Sequence, residues 1–256
     1  MTPSNGQLVA NRPIKKPDTD MNTTLENQAS AASNANDRNS SRALDITIRP
    51  ETKADHLPVE TLTREAFWNL YRPGCDEHYT THLVRGHQDF LADLTFVAEV
   101  EGQLVGSIIY TRSWVTNEQG ERFETATFGP LCVHPDWQRQ GIGSALIAHS
   151  RHLATQKGYP AILILGDPHN YVKHGFKTGK DMRVSSRDGS YPLGLLVLEL
   201  RPGFFASSPQ WTLQTSDVYE FDATQVDAFD ARFPPKEKKH HYSQDLFSML
   251  VRAVVR

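Results

Sequence analysis

The residues with the clearest chemical pattern lie in one short segment that contains two closely spaced glycines. Residues 131–133 are apolar, residues 134–136 read His-Pro-Asp, and residues 138–143 read Gln-Arg-Gln-Gly-Ile-Gly. Helical spacing of apolar residues begins at this loop, and the first amides of a helix lack intrahelical partners and carry partial positive charge. Gly141 and Gly143 leave room for an anion to approach those amides, and Arg139 adds a formal charge. The segment therefore predicts a phosphate-binding site, against the alternative of a tight turn without function.

Three families of phosphate-binding loop place glycines between a strand and a helix. A Walker A loop requires Gly-Lys-Ser/Thr after its glycines, and residues 141–146 contain no such run. A Rossmann loop requires a third glycine where Leu146 stands. The remaining pattern, Gln/Arg-x-x-Gly-x-Gly/Ala, is that of the GNAT superfamily of acetyltransferases. Residues 138–143 match it, and the chain resembles that superfamily in this strand, loop and helix.

A second motif extends the resemblance. In GNAT proteins the next strand is followed by a short helix carrying Tyr-x-x-x-Gly-Phe, and residues 171–176 read Tyr-Val-Lys-His-Gly-Phe. The Gly-Asp-Pro at residues 166–168 and the aromatic-rich C-terminal segment resemble a branch of predicted small-molecule acetyltransferases. The resemblance implies an α/β (α+β) GNAT fold, with a mixed, mostly antiparallel sheet, a splayed parallel strand pair and flanking helices.

The resemblance also implies a mechanism. Acetyl-CoA, as co-substrate, is expected between the strands that end at Val133 and Leu165, where the Val133 amide polarises the thioester carbonyl. The amine attacks directly, and Tyr171 protonates the departing thiolate. Asn170 departs from the aromatic residue often found before this tyrosine. The implied cofactor-binding residues are Leu131, Cys132, Val133, Gln138, Arg139, Gln140, Gly141, Ile142, Gly143, Ser144 and Asn170. The sulfur of Cys132 is expected to be buried and inert.

The acceptor amine must lose a proton before it attacks. The candidates for this base are Glu77, His78, Glu124 and His134, of which Glu124 lies on the strand before the glycine loop and faces the cleft only if its parity is right. The loop around Cys75, Glu77 and His78 falls where GNAT proteins line the acceptor pocket. A solvated helix start capped by Asp76 explains that loop equally well.

Apolar periodicity predicts the elements that position these residues. Gly106, inside a predicted strand, indicates a bulge or the close approach of another element. We expect a disordered tail over residues 1–43, the acetyltransferase domain over residues 44–202, and a C-terminal extension over residues 203–256 that packs on it as a strand or two and a terminal helix. The predicted strands cover residues 44–49, 96–100, 104–110, 123–133, 161–165 and 193–200, and the predicted helices cover residues 55–70, 77–85, 141–156 and 244–254.

The bulk composition limits the function classes. The 256 residues carry a formal net charge of -3, with no clustered cations of the kind that bind nucleic acid. Two cysteines, no apolar signal segment and no membrane-spanning run predict a cytoplasmic protein without a nucleic-acid or membrane partner. We expect no metal, since adjacent His240 and His241 point to opposite faces of a strand. The predicted acceptor is a small-molecule primary amine; a protein acceptor and a non-catalytic acyl-CoA sensor are the alternatives, and a homodimer is a reasonable assembly.

Overall fold

One mixed sheet carries the elements of the described chain. The computed structural model describes residues 44–256, so the predicted disordered tail at residues 1–43 lies outside the described residues. The strands are β1 (Ile46–Pro50), β2 (Phe96–Val100), β3 (Gln103–Asn117), β4 (Arg122–Val133), β5 (Ala161–Leu165), β6 (Lys177–Thr178), β7 (Val184–Ser185), β8 (Leu195–Glu199) and β9 (Trp211–Gln214). The helices are α1 (His56–Phe67), α2 (Glu77–Val84), α3 (Ile142–Gln156), α4 (Pro168–Tyr171), α5 (Ala223–Asp230) and α6 (Tyr242–Arg252).

The hairpin of β2 and β3 has the geometry that its sequence predicts. Glu101 and Gly102 both have positive φ, at 52° and 77°, as a tight two-residue turn between twisted strands requires. Gly106 then faces α3. A Cβ at Gly106 would lie 2.9 Å from Cγ2 of Ile142, so only glycine lets the helix pack this closely on the strand. The close approach predicted at Gly106 is confirmed, and the register of the two strands also shifts beside it.

The two central strands separate to form a gap. β4 and β5 run parallel and pair at a single position, Ala126 with Ile162, after which β4 continues to Val133 and β5 to Leu165. On their outer edges β4 pairs antiparallel with β3, and β5 pairs antiparallel with β8. The predicted splayed pair within a mostly antiparallel sheet is therefore confirmed. Since both strands keep their outer partners, the gap is a stable feature of the sheet.

The C-terminal segment lies against both sides of this gap. β9 pairs with Trp114–Asn117 of β3, beyond the point where β2 ends, which explains why β3 continues past the predicted end at residue 110. The α5 helix, which the sequence analysis missed, is held by Asp230, whose Oδ1 lies 2.6 Å from Nε of Arg64 on α1.

Helix α6 is held by hydrogen bonds near both of its ends. At its start, the Gln244 side chain donates to the Asn69 carbonyl oxygen at 2.9 Å. After its end, the Val255 amide donates to the Tyr191 carbonyl oxygen at 2.8 Å. Between these anchors Phe247 lines the cleft, so the helix covers part of it. No helix within residues 44–256 combines the length and the apolar character that crossing a membrane requires.

Candidate active site

A cleft of about 930 Å³ opens where β4 and β5 separate. Its walls come from β4, from the first turn of α3, from the segment after β5, from α1 and α2, and from the C-terminal extension. The apolar cluster beneath it packs α3 on the sheet through Ile108, Phe128 and Leu146. These elements fix the backbone that faces the cleft, because α3 and the strands bury their apolar faces against each other.

The glycine loop at one end of the cleft presents backbone amides. Arg139 and Gly141 have positive φ, at 61° and 93°, and α3 begins immediately afterwards at Ile142. Among the residues that the structure describes, the amides of residues 139–144 have no hydrogen-bond acceptor. A Cβ at Gly141 would meet nothing within 4 Å, and one at Gly143 would meet only the side chain of Val133, at 3.8 Å. The loop thus presents unpartnered N–H donors at the positive end of a helix, and the two glycines leave them accessible.

Most of the cofactor residues expected from the sequence line this cleft. They are Leu131, Cys132, Val133, Gln138, Arg139, Gly141, Ile142, Gly143, Ser144 and Asn170. Gln140 does not line the cleft; its side-chain amide donates to the carbonyl oxygen of Asp136 at 3.2 Å and so stabilises the turn before the helix. The Cys132 thiol is buried beside Thr63, and burial raises the pKa of Cys132 to about 11. At neutral pH it is therefore a thiol and a poor nucleophile.

Tyr171 lies in the cleft on a support built by the Gly-Asp-Pro segment. A Cβ at Gly166 would come within 2.7 Å of the Tyr171 ring, so glycine is needed for the ring to lie there. Asp167 caps α4 by accepting from the amide of His169 at 2.9 Å. Burial raises the pKa of Tyr171 well above its ordinary value. Its hydroxyl is protonated at neutral pH and has no hydrogen-bond partner among residues 44–256, which leaves it free to donate.

Glu77 is the carboxylate on the acceptor side of the cleft. It is the first residue of α2, and its Oε2 accepts from the amide of Asp76 at 3.0 Å. Burial raises the pKa of Glu77 to about 7, and the nearby backbone amides limit this rise. Asp76 does not cap the helix with its side chain, since its carboxylate pairs with Arg72. A carboxylate with this pKa exchanges protons readily near neutral pH.

Cys75 and His78 do not reach the cleft, so their assignment to the acceptor site is corrected. Sγ of Cys75 lies 3.2 Å from Nδ1 of His78, and Nε2 of His78 lies 3.1 Å from Oδ1 of Asp230. Both residues are buried beneath α5, which raises the pKa of Cys75 and lowers the pKa of His78 to about 4. The chain of Cys, His and Asp looks like a nucleophilic triad, but it is closed to solvent and ties α2 to α5.

Glu124 and His134 do not line the cleft, and Glu124 is withdrawn as a base. Oε1 of Glu124 lies 3.3 Å from the Tyr159 hydroxyl, beyond the C-terminal end of α3. The same oxygen lies 3.3 Å from Nε of Arg112. His134 instead accepts from the Asp136 amide at 3.3 Å within the turn.

Several cleft residues were not found by the sequence analysis. On the acceptor side these are Phe67, Tyr71, Thr127, Tyr219 and Phe247. At the other end, Lys173 and His174 line both the cleft and an adjoining pocket that also contains Arg151. The motif Tyr-x-x-x-Gly-Phe includes Lys173 and His174, so their charge was a usable signal. The residues of the acceptor side gave no such sequence signal, because they are far apart in the chain.

Clusters of histidine and aspartate lie outside the cleft. Nε2 of His87 lies 3.0 Å from Oδ1 of Asp217, and Ser216 donates to Oδ2 of Asp89 at 2.8 Å. These contacts join the extension to the loop after α2. His240 forms an exposed pair with Asp245, with a separation of 3.0 Å. Each of these histidines thus has a carboxylate neighbour within hydrogen-bond distance.

The comparisons with known proteins identify the family. Residues 92–178, which contain the glycine loop and Tyr171, match the model of the acetyltransferase (GNAT) domain. The chain is 28% identical over 133 residues to the uncharacterised N-acetyltransferase YhbS of Escherichia coli, a match that covers 52% of this chain and 74% of that protein.

Solved structures show the same fold. The structure of YhbS from Escherichia coli in complex with CoA matches with a TM-score of 0.60 and 22% identity over 70% of this chain and 94% of that one. A GNAT-family acetyltransferase from Brucella melitensis in complex with acetyl-CoA matches with a TM-score of 0.53 and 23% identity over 68% of this chain and 98% of that one. The chain therefore carries a GNAT acetyltransferase domain over residues 92–178, which makes it an acyltransferase.

Proposed function

We propose that the protein transfers an acetyl group from acetyl-CoA to a primary amine of a small molecule. The observation that carries this proposal is the set of unpartnered amides at residues 139–144, five of which belong to residues that line the cleft where the two central strands part. A diphosphate satisfies such amides and is stabilised by the positive end of α3. Two related proteins of this fold were solved with CoA or acetyl-CoA, which supports the same ligand here.

The charges along the cleft suit the remaining phosphate of the coenzyme. Arg139 stands at the glycine loop, and Arg151, Lys173 and His174 surround the adjoining pocket. Burial lowers the pKa of His174, and the charges of Lys173 and Arg151 lower it further. We assign this basic pocket to the phosphate on the adenosine ribose, because it gathers cations next to the proposed diphosphate site.

The gap between β4 and β5 suits the thioester. The amide of His134 donates to the Val105 carbonyl oxygen at 2.8 Å, towards β3. Since successive amides of a strand point to opposite edges, the Val133 amide points towards the gap. There it can donate to the thioester oxygen as negative charge develops. Tyr171 lies across the cleft with a free, protonated hydroxyl for the departing thiolate.

The position of α6 at the cleft favours a small acceptor over a large one. Phe247 stacks on Tyr71 with ring centroids 4.0 Å apart, which narrows the cleft on its acceptor side. An extended peptide needs an open groove along which its backbone can lie. We further propose a cytoplasmic location, because Cys75 and Cys132 are both free thiols, as in reducing compartments.

Release of free thiol from acetyl-CoA, measured against a panel of amines, tests this function. We expect thiol release that depends on a small amine, with coenzyme binding measured in parallel by titration calorimetry. Coenzyme binding without thiol release for any amine would show an acyl-CoA sensor instead. A radiolabelled protein band after incubation with labelled acetyl-CoA and a cell extract would show a protein acceptor.

A further inference from the structure

The acceptor side of the cleft contains a distinctive set of side chains. They come from α1, α2, β4 and the C-terminal extension, and none belongs to the glycine loop or to the segment of Tyr171. Those that matter here are Phe67, Tyr71, Glu77, Thr127 and Phe247. These side chains lie at the end of the cleft away from the phosphate-binding groups. Their charge and shape therefore indicate the charge and shape of the acceptor.

The cations of the cleft lie at one of its ends. Arg139 lines it in the glycine loop and Lys173 after Tyr171, and the anion Asp167 lines it just before Tyr171. Glu77 is the charged group contributed by the acceptor side.

Arg72 lies near enough to lower the pKa of Glu77, but its guanidinium pairs with Asp76, whose charge acts on Glu77 with the opposite sign. An acceptor that carries a carboxylate or a phosphate would therefore bury that anion near Glu77 without an unpaired cation from the described residues, which is unfavourable. An ammonium group, in contrast, finds a carboxylate there.

Glu77 is placed to hold an ammonium ion and to take its proton. Its Oε2 is fixed by the amide of Asp76 at 3.0 Å, so the carboxylate has a defined orientation at the start of α2. Burial raises the pKa of Tyr71 to about 12, and the charges of Glu77 and Asp167 add to this rise. Burial also raises the pKa of Tyr171, and Tyr71 adds to that rise. Tyr71 therefore lies near both Glu77 and the proposed acid.

The remaining acceptor surface is flat and aromatic. Tyr71 and Phe247 are stacked with ring planes 23° apart, and Phe67 lies with its centroid 5.8 Å from that of Tyr71. Buried Thr127 faces the same cleft, and its hydroxyl has no partner among the described residues. The Thr127 hydroxyl is thus available to a ligand beside a wall of aromatic rings, which suits a flat apolar body that carries a nitrogen.

We propose that the acceptor is a small monoamine with a flat, apolar body and no acidic group, bound as its ammonium ion by Glu77, which acts as the catalytic base. The proposal rests on the acetyl transfer proposed above. Glu77 removes one proton from the ammonium group, and the nitrogen lone pair forms a C–N bond to the thioester carbon. The C–S bond breaks, and the thiolate takes a proton from Tyr171. The nitrogen loses its second proton to solvent, Tyr171 and Glu77 return to their starting states, and one proton is released per turnover.

The test compares amines that share a body but differ in charge. The probes are 2-phenylethylamine, phenylalanine and a linear triamine, each measured for thiol release with acetyl-CoA and for binding to the CoA-loaded protein. We expect kcat/KM and affinity to be about 100-fold higher for 2-phenylethylamine than for phenylalanine, which carries an unpaired carboxylate. Equal or better use of phenylalanine or of the triamine overturns the proposed acceptor class.

Glu77→Gln tests the base. In the wild type kcat/KM should rise with pH through about 7 as Glu77 loses its proton, because only the carboxylate accepts a proton from the amine. In Glu77→Gln this rise should vanish and kcat/KM should fall about 100-fold, with coenzyme affinity unchanged. The matched control is Glu118→Gln, in the exposed turn after β3, which should behave as wild type. An unaltered pH profile in Glu77→Gln overturns the role of Glu77.

Different results would refute the acetyl transfer and the choice of acceptor. Selective binding of 2-phenylethylamine without thiol release from any amine would refute the acetyl transfer, while the acceptor pocket would stand. Thiol release with amines of another class would refute the acceptor assignment and leave the transfer reaction intact. The wild-type panel decides this even if Glu77→Gln does not fold.

Discussion

The two halves of the cleft are built by different means. The coenzyme half uses the main chain: open amides at residues 139–144, the Val133 amide, and glycines that keep the space clear. The acceptor half uses side chains, chiefly Glu77 and the stacked pair Tyr71 and Phe247, from segments about 170 residues apart in sequence. A main-chain site needs a short local motif, whereas a side-chain site depends on how distant segments meet.

This difference separates the part of the cleft that the family match covers from the part that lies outside it. The family match, over residues 92–178, contains the coenzyme half and Tyr171 but neither α1 nor the C-terminal extension. The acceptor surface is therefore contributed mainly by elements outside the matched region. Changes in the coenzyme half should abolish binding of the common ligand, and changes in the acceptor half should alter the choice of amine only.

The largest effect is expected from filling the space above the open amides. In Gly143→Leu the new Cβ meets only an ordinary van der Waals contact in the protein and needs no unusual backbone angle, and the rest of the side chain is expected to occupy the approach to the loop. Loss of two charge-assisted hydrogen bonds, at about 2 kcal/mol each, predicts about a 1000-fold weaker affinity for CoA by titration calorimetry.

Gly86→Leu is the matched control for that variant. Gly86 follows α2, is exposed, and has a free Cβ direction with its nearest neighbour at 3.8 Å. We expect its CoA affinity and melting temperature to equal those of the wild type. If Gly143→Leu also binds CoA like the wild type, the loop does not hold the diphosphate.

A smaller effect is expected from removing the hydroxyl of Tyr171. Tyr171→Phe keeps the ring packed on Phe128 and Phe176 but removes the proton donor. We predict a fall in kcat of about 100-fold, with CoA affinity within about twofold of the wild type, since general acid catalysis contributes at least this much. Steady-state kinetics and calorimetry measure the two quantities. An unchanged kcat would remove Tyr171 from the mechanism.

The smallest effect is expected in the acceptor half. Phe247→Ala removes the ring that stacks on Tyr71, and we predict about a tenfold higher KM for the amine, or about 1.4 kcal/mol, without a change in CoA affinity. Met249→Ala alters the exposed face of the same helix and is the matched control. A change in CoA affinity for Phe247→Ala, or an equal KM effect in both variants, would contradict the division into two halves.

The sequence predicted the elements whose signals are local. The bounds of β5 are those expected, because residues 161–165 form a continuous apolar run that stays buried except at Leu165. Gly106 was identified as a point of close approach, and α3 is the element that approaches it. Helix α5 was missed although Asp222 gives a usable signal: its carboxylate accepts from the Thr224 amide at 2.8 Å, as an N-cap does.

The errors in the acceptor half have a common cause. Glu77 and His78 are neighbours, but successive residues of a helix point about 100° apart, so the first faces the cleft while the second is buried against α5. Glu124 lies on the correct strand but too far along it. Phe247 reaches Tyr71 only after the chain has formed α5 and returned over the sheet. Contacts between residues so far apart in the chain leave no local pattern in a single sequence.

A crystal structure of the protein with bound CoA tests the central claim most directly. The account predicts both phosphates of the diphosphate within about 3 Å of the amides of residues 139–144, with the pantetheine arm in the gap between β4 and β5. A coenzyme seated elsewhere, with those amides satisfied by protein side chains, would contradict it.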